Sequence, residues 1–282
     1  MKKTKIIQKT IGFHLFIALA LFYYAWQIEP FDVEWVELEM EIENLPEELE
    51  GKMLMKISDT HIGDRFEYQY LIENFQKGQK LNPDIVVYTG DFLAYQTPKQ
   101  LEQLAEVSPH FVKGNLATIG VLGNHDYGKN WSEPEVADQI VNDLELAGIR
   151  ILRNESISIH GLNFLGMDDF YGSNFDGKSL MEKYDSQTAN LVLCHNPDVL
   201  DLPIWNDYKG WVLAGHTHGG QVKFPFLPPP ILPIKNKKYQ AGKIVLKDGR
   251  TLYVNRALGH SYQIRFNVRP EITLFSLKAK KI

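Results

Sequence analysis

Short apolar runs that break off in polar turns are the dominant pattern along this chain. Met53 to Ile57 stops at Ser58-Asp59-Thr60-His61, Ile85 to Tyr88 runs to Gly90-Asp91, and Leu116 to Leu122 stops at Gly123-Asn124-His125-Asp126. Asn190 to Leu193 stops at Cys194-His195, and Trp211 to Ala214 at Gly215-His216-Thr217-His218. Unbroken runs of this length, bounded by turn residues, predict buried strands. Helical spacing separates the first three, over about Glu67 to Lys80 (Tyr70, Leu71, Phe75) and about Lys99 to Phe111. A third helix, leading out through Leu144 and Leu146, carries a capping-box start at Ser132 and Glu135, with Pro134 in its first turn.

Elsewhere the pattern changes to alternation. Val36, Leu38, Met40 and Ile42 are separated by Glu37, Glu39, Glu41 and Glu43, which predicts a half-exposed strand whose like charges guard a sheet edge. Ile149 to Leu152, Ser156 to His160 and Leu162 to Met167 predict a meander, and a short helix follows near Ser179 to Tyr184. Asp248-Gly249 between Ile244–Leu246 and Leu252–Val254 predicts a hairpin, and Glu271 to Leu277 a last strand. Strands alternating with helices, then mostly strands, place the chain in the mixed α/β (α+β) class. The expected architecture is a four-layer α/β/β/α sandwich of two packed sheets flanked by helices.

The first thirty residues differ in kind. Lys2, Lys3, Lys5 and Lys9 precede an apolar run from Ile11 to about Ile28, and Phe22, Tyr23, Tyr24 and Trp26 crowd its end as interfacial aromatics do. At about 1.5 Å per residue the run gives roughly 27 Å of helix, close to a hydrocarbon core. The Ala18-Leu19-Ala20 triplet lies inside the run rather than after it, so residues 1–30 are expected to be a retained single-pass anchor and 31–282 the globular domain, the competing reading being a helix that lies on the membrane or packs on the domain. The lysines belong on the cytoplasmic side of the inner or plasma membrane, and Glu29, Asp32, Glu34 and Glu37 on the other, which places the main domain outside.

Composition adds little. Of 282 residues, 44% are hydrophobic and 23% charged, as expected for a globular chain. A net charge of −5 argues against a nucleic-acid partner, and the single Cys194 excludes an intrachain disulfide framework.

Five of the apolar runs end in potential metal ligands: Asp59 and His61, Asp91, Asn124 and His125, His195, and His216 with His218. Carboxylate, carboxamide and imidazole donors without cysteine suit Mn, Zn or Fe. The i, i+2 spacing of Asp59/His61 and of His216/His218 points both members of each pair to one side in an extended chain. Each piece alone is an ordinary turn. Most of the nine histidines falling at strand ends by accident is not.

Asp59-x-His61, Gly90-Asp91, Gly123-Asn124-His125-Asp126, His195 and Gly215-His216-x-His218 together resemble the five ordered signature blocks of the calcineurin-like metallophosphoesterases. Gly219-Gly220-Gln221 and the terminal hairpin are similar to the membrane-anchored or exported bacterial branch, which includes UDP-diacylglucosamine pyrophosphatases and cell-wall-associated phosphodiesterases. The resemblance implies a metal-dependent phosphoric ester hydrolase with two divalent ions. One would be held by Asp59, His61 and His218, the other by Asn124, His195 and His216, with Asp91 bridging. It implies His125 as the catalytic residue that stabilises charge or protonates the leaving group, with Asp126 orienting it.

A phosphodiester or pyrophosphate in a lipid-linked or envelope component is the expected substrate; a broad phosphomonoesterase, or a non-catalytic binding protein on the same fold, is the competing reading. Asp168, Asp169 and Arg65 are open between a role at the site and ordinary turn or surface positions. Phe224 to Pro233, trailed by Lys235, Lys237 and Lys238, is open between a membrane-touching loop and a packed connection.

Overall fold

The computed structural model describes residues 2–280 apart from 64 and 96. Two six-stranded sheets are stacked face to face. The first runs β1 (Glu34–Ile42), β12 (Glu271–Ala279), β2 (Met53–Ile57), β3 (Ile85–Thr89), β4 (Ala117–Val121) and β5 (Arg150–Ile151). The second runs β10 (Gly242–Val245), β11 (Thr251–Val254), β9 (Trp211–Ala214), β8 (Ala189–Leu193), β7 (Leu162–Gly166) and β6 (Glu155–Ile159). Strands β2 to β5 are parallel to one another, as are β7, β8, β9 and β11, so the carboxyl ends of the central strands gather along one edge of each sheet.

The layers follow from which side chains each run presents. Leu54, Val87, Ile119, Leu191, Leu213 and Phe275 fill the space between the sheets. The outer face of the first sheet, including Met55, Val86 and Tyr88, packs on α2 (Gln69–Lys80), α3 (Pro98–Val107) and α4 (Pro134–Leu146) through Leu71, Phe75, Leu104 and Ile140. The outer face of the second sheet is covered by the five-residue α5 (Gly177–Met181) and by loops carrying Val199, Trp205, Leu232 and Tyr239. That is the expected four-layer order, with a thin fourth layer. Strand β1 lies at the edge of its sheet with Glu37, Glu39 and Glu41 exposed and Met40 and Ile42 buried, as its alternation predicts.

Two local expectations fail. The meander is only a hairpin of β6 and β7; β5 instead pairs parallel with β4 in the other sheet, because α4 carries the chain back along the first sheet and Ile149 and Ile151 join the helix-side core. The capping box is absent as well. Helix α4 begins at Pro134 with Glu133 as its cap residue, and Glu133 instead accepts a bond from the Lys129 amide. The preceding turns explain it: Asn130 and Trp131 both adopt left-handed backbone, and the Glu133 amide is drawn to the Tyr127 carbonyl, so Ser132 is not placed to cap.

The first helix, α1 (Lys2–Tyr23), has 22 residues and so extends about 33 Å. From Ile7 to Phe31 the chain is long and apolar enough to cross a membrane, and its apolar side chains are exposed almost throughout.

Candidate metal centre

The strand-end aspartates and histidines singled out in the sequence gather in one cluster, with Asn124 buried in the turn beside it. Asp59 and His61 follow β2, Asp91 follows β3, Asn124 and His125 follow β4, His195 follows β8, and His216 and His218 follow β9. Carboxyl ends of parallel strands are where an α/β sheet opens a crevice, and here two sheets contribute to the same one. Glycines allow the approach. A Cβ on Gly215 would lie 2.0 Å from Ser58 Oγ, and one on Gly123 would lie 2.2 Å from Asp91 Oδ1.

The backbone does not converge in the way the sequence spacing implies. Asp59, His61, Asp91, His216 and His218 all have positive φ, between 44° and 70°. Side chains are thus aimed inward by left-handed turns, not by strand alternation. For residues other than glycine such conformations cost on the order of 1–3 kcal/mol each, and their concentration here is itself a mark of function.

Two groups of buried donors result, and a third, overlapping group joins His61 and Asp91 to the half-buried His125. Asp59, His61 and His218 form the first, and Asp91, His195 and His216 the second. Asp59 Oδ1 is 3.3 Å from His218 Nε2, and His61 Nε2 is 2.9 Å from His218 Nε2. His216 Nδ1 is 3.1 Å from His195 Nε2. Asp91 stands between the groups, with Oδ2 3.2 Å from His195 Nε2 and 3.6 Å from His61 Nε2. The outward ring nitrogens are fixed by backbone: His195 Nδ1 donates to the Thr89 carbonyl at 2.7 Å and His216 Nε2 to the Pro233 carbonyl at 2.9 Å. Each bond turns the other nitrogen's lone pair toward the cluster.

Charges in the cluster compensate one another. Burial works to raise the Asp59 carboxyl, but the imidazoles of His218 and His195 outweigh it and hold it well below the usual range. Burial lowers His195, yet Asp91 and Asp59 lift it to about 10, while burial and then His195 push His216 down to about 4.

Does this arrangement suit a cation? Both side-chain atoms of the buried Asn124 lack a hydrogen-bond partner. A carboxamide in that state is costly unless something else meets it. Ring nitrogens pointing at one another across about 3 Å, as His61 and His218 do, are relieved when their lone pairs share a cation. The nitrogen and oxygen donors are those that suit divalent metals.

The calcineurin-like phosphoesterase family model matches residues 54–220 of this chain. The chain belongs to that family. It is 29% identical over 270 residues to the metallophosphoesterase YkuE of Bacillus subtilis, covering 91% of this chain and 89% of the relative. It is 28% identical to the UDP-2,3-diacylglucosamine pyrophosphatase LpxG of Chlamydia trachomatis, covering 82% and 86% of the two chains. Phosphodiesterase YaeI of Escherichia coli is 27% identical, covering 79% and 81%. The protein is therefore a metal-binding phosphoester hydrolase.

The partners of the next residues depart from expectation. Asp126 does not orient His125. Its Oδ1 accepts from the Phe92 and Leu93 amides and its Oδ2 from the Gly123 amide, so it ties the β3 and β4 turns together. Burial, then the nearby Asp91, lifts its pKa to about 8. His125 is oriented by backbone instead: Nδ1 donates to the Ala94 carbonyl at 2.7 Å, leaving Nε2 free beside His61, whose ring lies 4.9 Å away. Sequence spacing cannot separate these cases, because adjacent residues on a turn face different ways.

Asp168 accepts from the Tyr127 hydroxyl and Arg153 Nε, and is a strut of the fold. Asp169 Oδ2 accepts from the Tyr171 and Gly172 amides, and burial, partly offset by His195, lifts its carboxyl to about 7. Arg65 lies between the rings of Tyr95 and Tyr262, 4.5 and 4.7 Å from their centroids. Tyr95 in turn meets His125, and Trp131 stacks on Tyr171, which meets His216. The sequence reading missed this aromatic rim. Its only signal is an aromatic residue a few positions beyond Asp91, Asn124 and Asp169.

Proposed function

We propose that this chain is a membrane-anchored dinuclear metallophosphoesterase that cleaves a phosphodiester or pyrophosphate bond in a lipid-linked or cell-envelope substrate. Residues 1–30 are the anchor and 31–282 the catalytic domain. The observation that carries the dinuclear reading is the position of Asp91, within 3.6 Å of an imidazole of each donor group. Asp59, His61 and His218 would hold one ion, Asn124, His195 and His216 the other, and Asp91 would serve both. Bound divalent cations supply a water acidic enough to act as nucleophile at neutral pH and neutralise charge gathering on the phosphoryl oxygens.

The chain's own residues do the rest. With Nδ1 fixed on the Ala94 carbonyl, His125 presents Nε2 to the open side of the cluster, where it can donate a proton to the departing oxygen. Arg65 bonds the Ser261 carbonyl, and Ser261 Oγ is 3.4 Å from His218 Nε2, so a permanent positive charge stands one residue from the metal ligands. That charge suits the second phosphate of a pyrophosphate or the far oxygens of a diester. Rim aromatics Trp131 and Tyr171 offer faces for the leaving group and exclude water from the reacting phosphorus. The named activities of the LpxG and YaeI relatives, a UDP-2,3-diacylglucosamine pyrophosphatase and a phosphodiesterase, support the same substrate classes.

Hydrolysis of bis(p-nitrophenyl) phosphate and of p-nitrophenyl phosphate by the manganese-loaded chain tests this reading. The diester is expected to be cleaved with the larger kcat/KM. Faster cleavage of the monoester would establish a phosphomonoesterase in its place.

A further inference from the structure

The segment that the sequence leaves open between a packed connection and a membrane contact is packed at its ends and bare at its tip. Phe226 is 104% exposed and Ile231 75%, and Phe224 and Leu227 are also exposed, in a loop holding five prolines between residues 225 and 233. Yet the loop is firmly held at both ends. On the incoming side the Lys223 amide donates to the Phe266 carbonyl and the Phe224 and Phe266 rings meet at 5.9 Å. On the outgoing side Leu232 and Ile234 are buried in the second-sheet core, and Asp198 accepts from the Lys235 and Asn236 amides. Lys237 Nζ donates to the Leu232 and Ile234 carbonyls at 2.6 Å each, and so belongs to this clasp. The fold therefore spends its bonds on presenting an apolar tip to the outside, with Lys223, Lys235 and Lys238 around its base.

What covers that tip follows from where α1 leaves the domain. The helix is not joined by a slack linker. The helical turns that continue it, Tyr24–Ile28 and Glu29–Phe31, are docked on the segment that also holds the loop: Arg265 N donates to the Ala25 carbonyl at 2.8 Å and Gln263 Nε2 to the Trp26 carbonyl at 3.0 Å. Val268 N donates at 2.6 Å to Glu29 Oε1. Glu29 is buried by this contact, although the sequence places it among the charges facing solvent beyond the membrane. Tyr24 and Pro225 line one cavity with Glu29, Arg256 and Phe266. The aromatic end of the apolar helix and the apolar loop thus stand side by side on one face.

We infer that the loop from Phe224 to Ile231 is a second membrane contact, inserted into the bilayer leaflet from which α1 emerges, with Lys223, Lys235 and Lys238 at the level of anionic headgroups. The partner is the lipid surface itself. The two contacts, joined through the segment from Gln263 to Val268, hold the catalytic domain at one height and tilt. They set the metal cluster close to the bilayer, since His216 bonds the Pro233 carbonyl at the end of the loop and Gly220 has room for no Cβ against Pro229. The inference rests on the anchor reading of α1, and its test separates the two.

The test uses the full-length chain in vesicles of phosphatidylethanolamine and phosphatidylglycerol, with an environment-sensitive NBD dye on a single introduced cysteine. The native Cys194 is buried and does not compete for the label. Phe226→Cys, Leu19→Cys in the helix and Leu146→Cys on the far end of α4 all replace exposed side chains, so folding is not at risk. Dye at 226 and at 19 is expected to emit blue-shifted, with several-fold higher intensity than at 146, and to be quenched by spin-labelled acyl chains. Water-like emission at 226 with lipid-like emission at 19 would overturn the loop contact and leave the anchor standing. Water-like emission at both would overturn both. A blue shift at 226 without lipid quenching means burial against protein, and it too overturns the inference.

Discussion

His125→Ala is expected to lower kcat for a phosphodiester with a poor leaving group by on the order of 10²–10⁴-fold, while elemental analysis finds the metal content of the native chain. The reasoning rests on two bonds. The His125 amide donates to Asp91 Oδ1 at 2.8 Å through the backbone, which any side chain preserves, so Asp91 stays in place. The ring is held by the Ala94 carbonyl and needs no ion to orient it. A proton donor matters least when the leaving oxygen is already stable as an anion. The loss with a nitrophenolate leaving group should therefore be clearly smaller than with an alkoxide. Equal losses for both, or loss of metal from the variant, would remove His125 from the role of proton donor and make it a support of the site.

Asp91→Ala is expected to do more. Activity should fall by about 10³-fold or further, and the purified variant should carry fewer than two ions per chain. Asp91 is the group that both donor sets approach, and its Oδ1 also fixes the turn at His125. Its removal takes from His195 the carboxylate that, ahead of Asp59, lifts its pKa to about 10 against burial. Asn124→Ala makes the narrower change. It takes away one donor that has no other partner, and should weaken the second ion while leaving the first.

The placement of the site was legible because it depends on local facts. Buried parallel strands of four or five residues need unbroken apolar runs, and the turn after each run is short enough that its polar residues must lie at the sheet edge. Asp59, Asp91, Asn124, His195 and His216 could each be located in this way from the chain alone. What the chain does not display is handedness and partnership. The left-handed backbone at Asp59, His61, Asp91, His216 and His218 replaces the extended geometry that i, i+2 spacing implies, because close contact between the two sheets overrides local preference. Asp126 looks like the natural partner of its neighbour His125, yet three amides from two different turns claim it. Strand β5 reads as the start of a meander because its two residues carry no mark of which sheet they join. Docking of the turns after α1 on the segment around Arg265 joins residues some 240 positions apart, beyond any periodicity.

One cluster, shared through Asp91, would hold two ions at once. Metal content of the native chain after stripping with chelator and titration with manganese tests it most directly, read by elemental analysis alongside diester hydrolysis. Two ions per chain are expected, with activity appearing only as the second is taken up. Full activity with one ion per chain would contradict it.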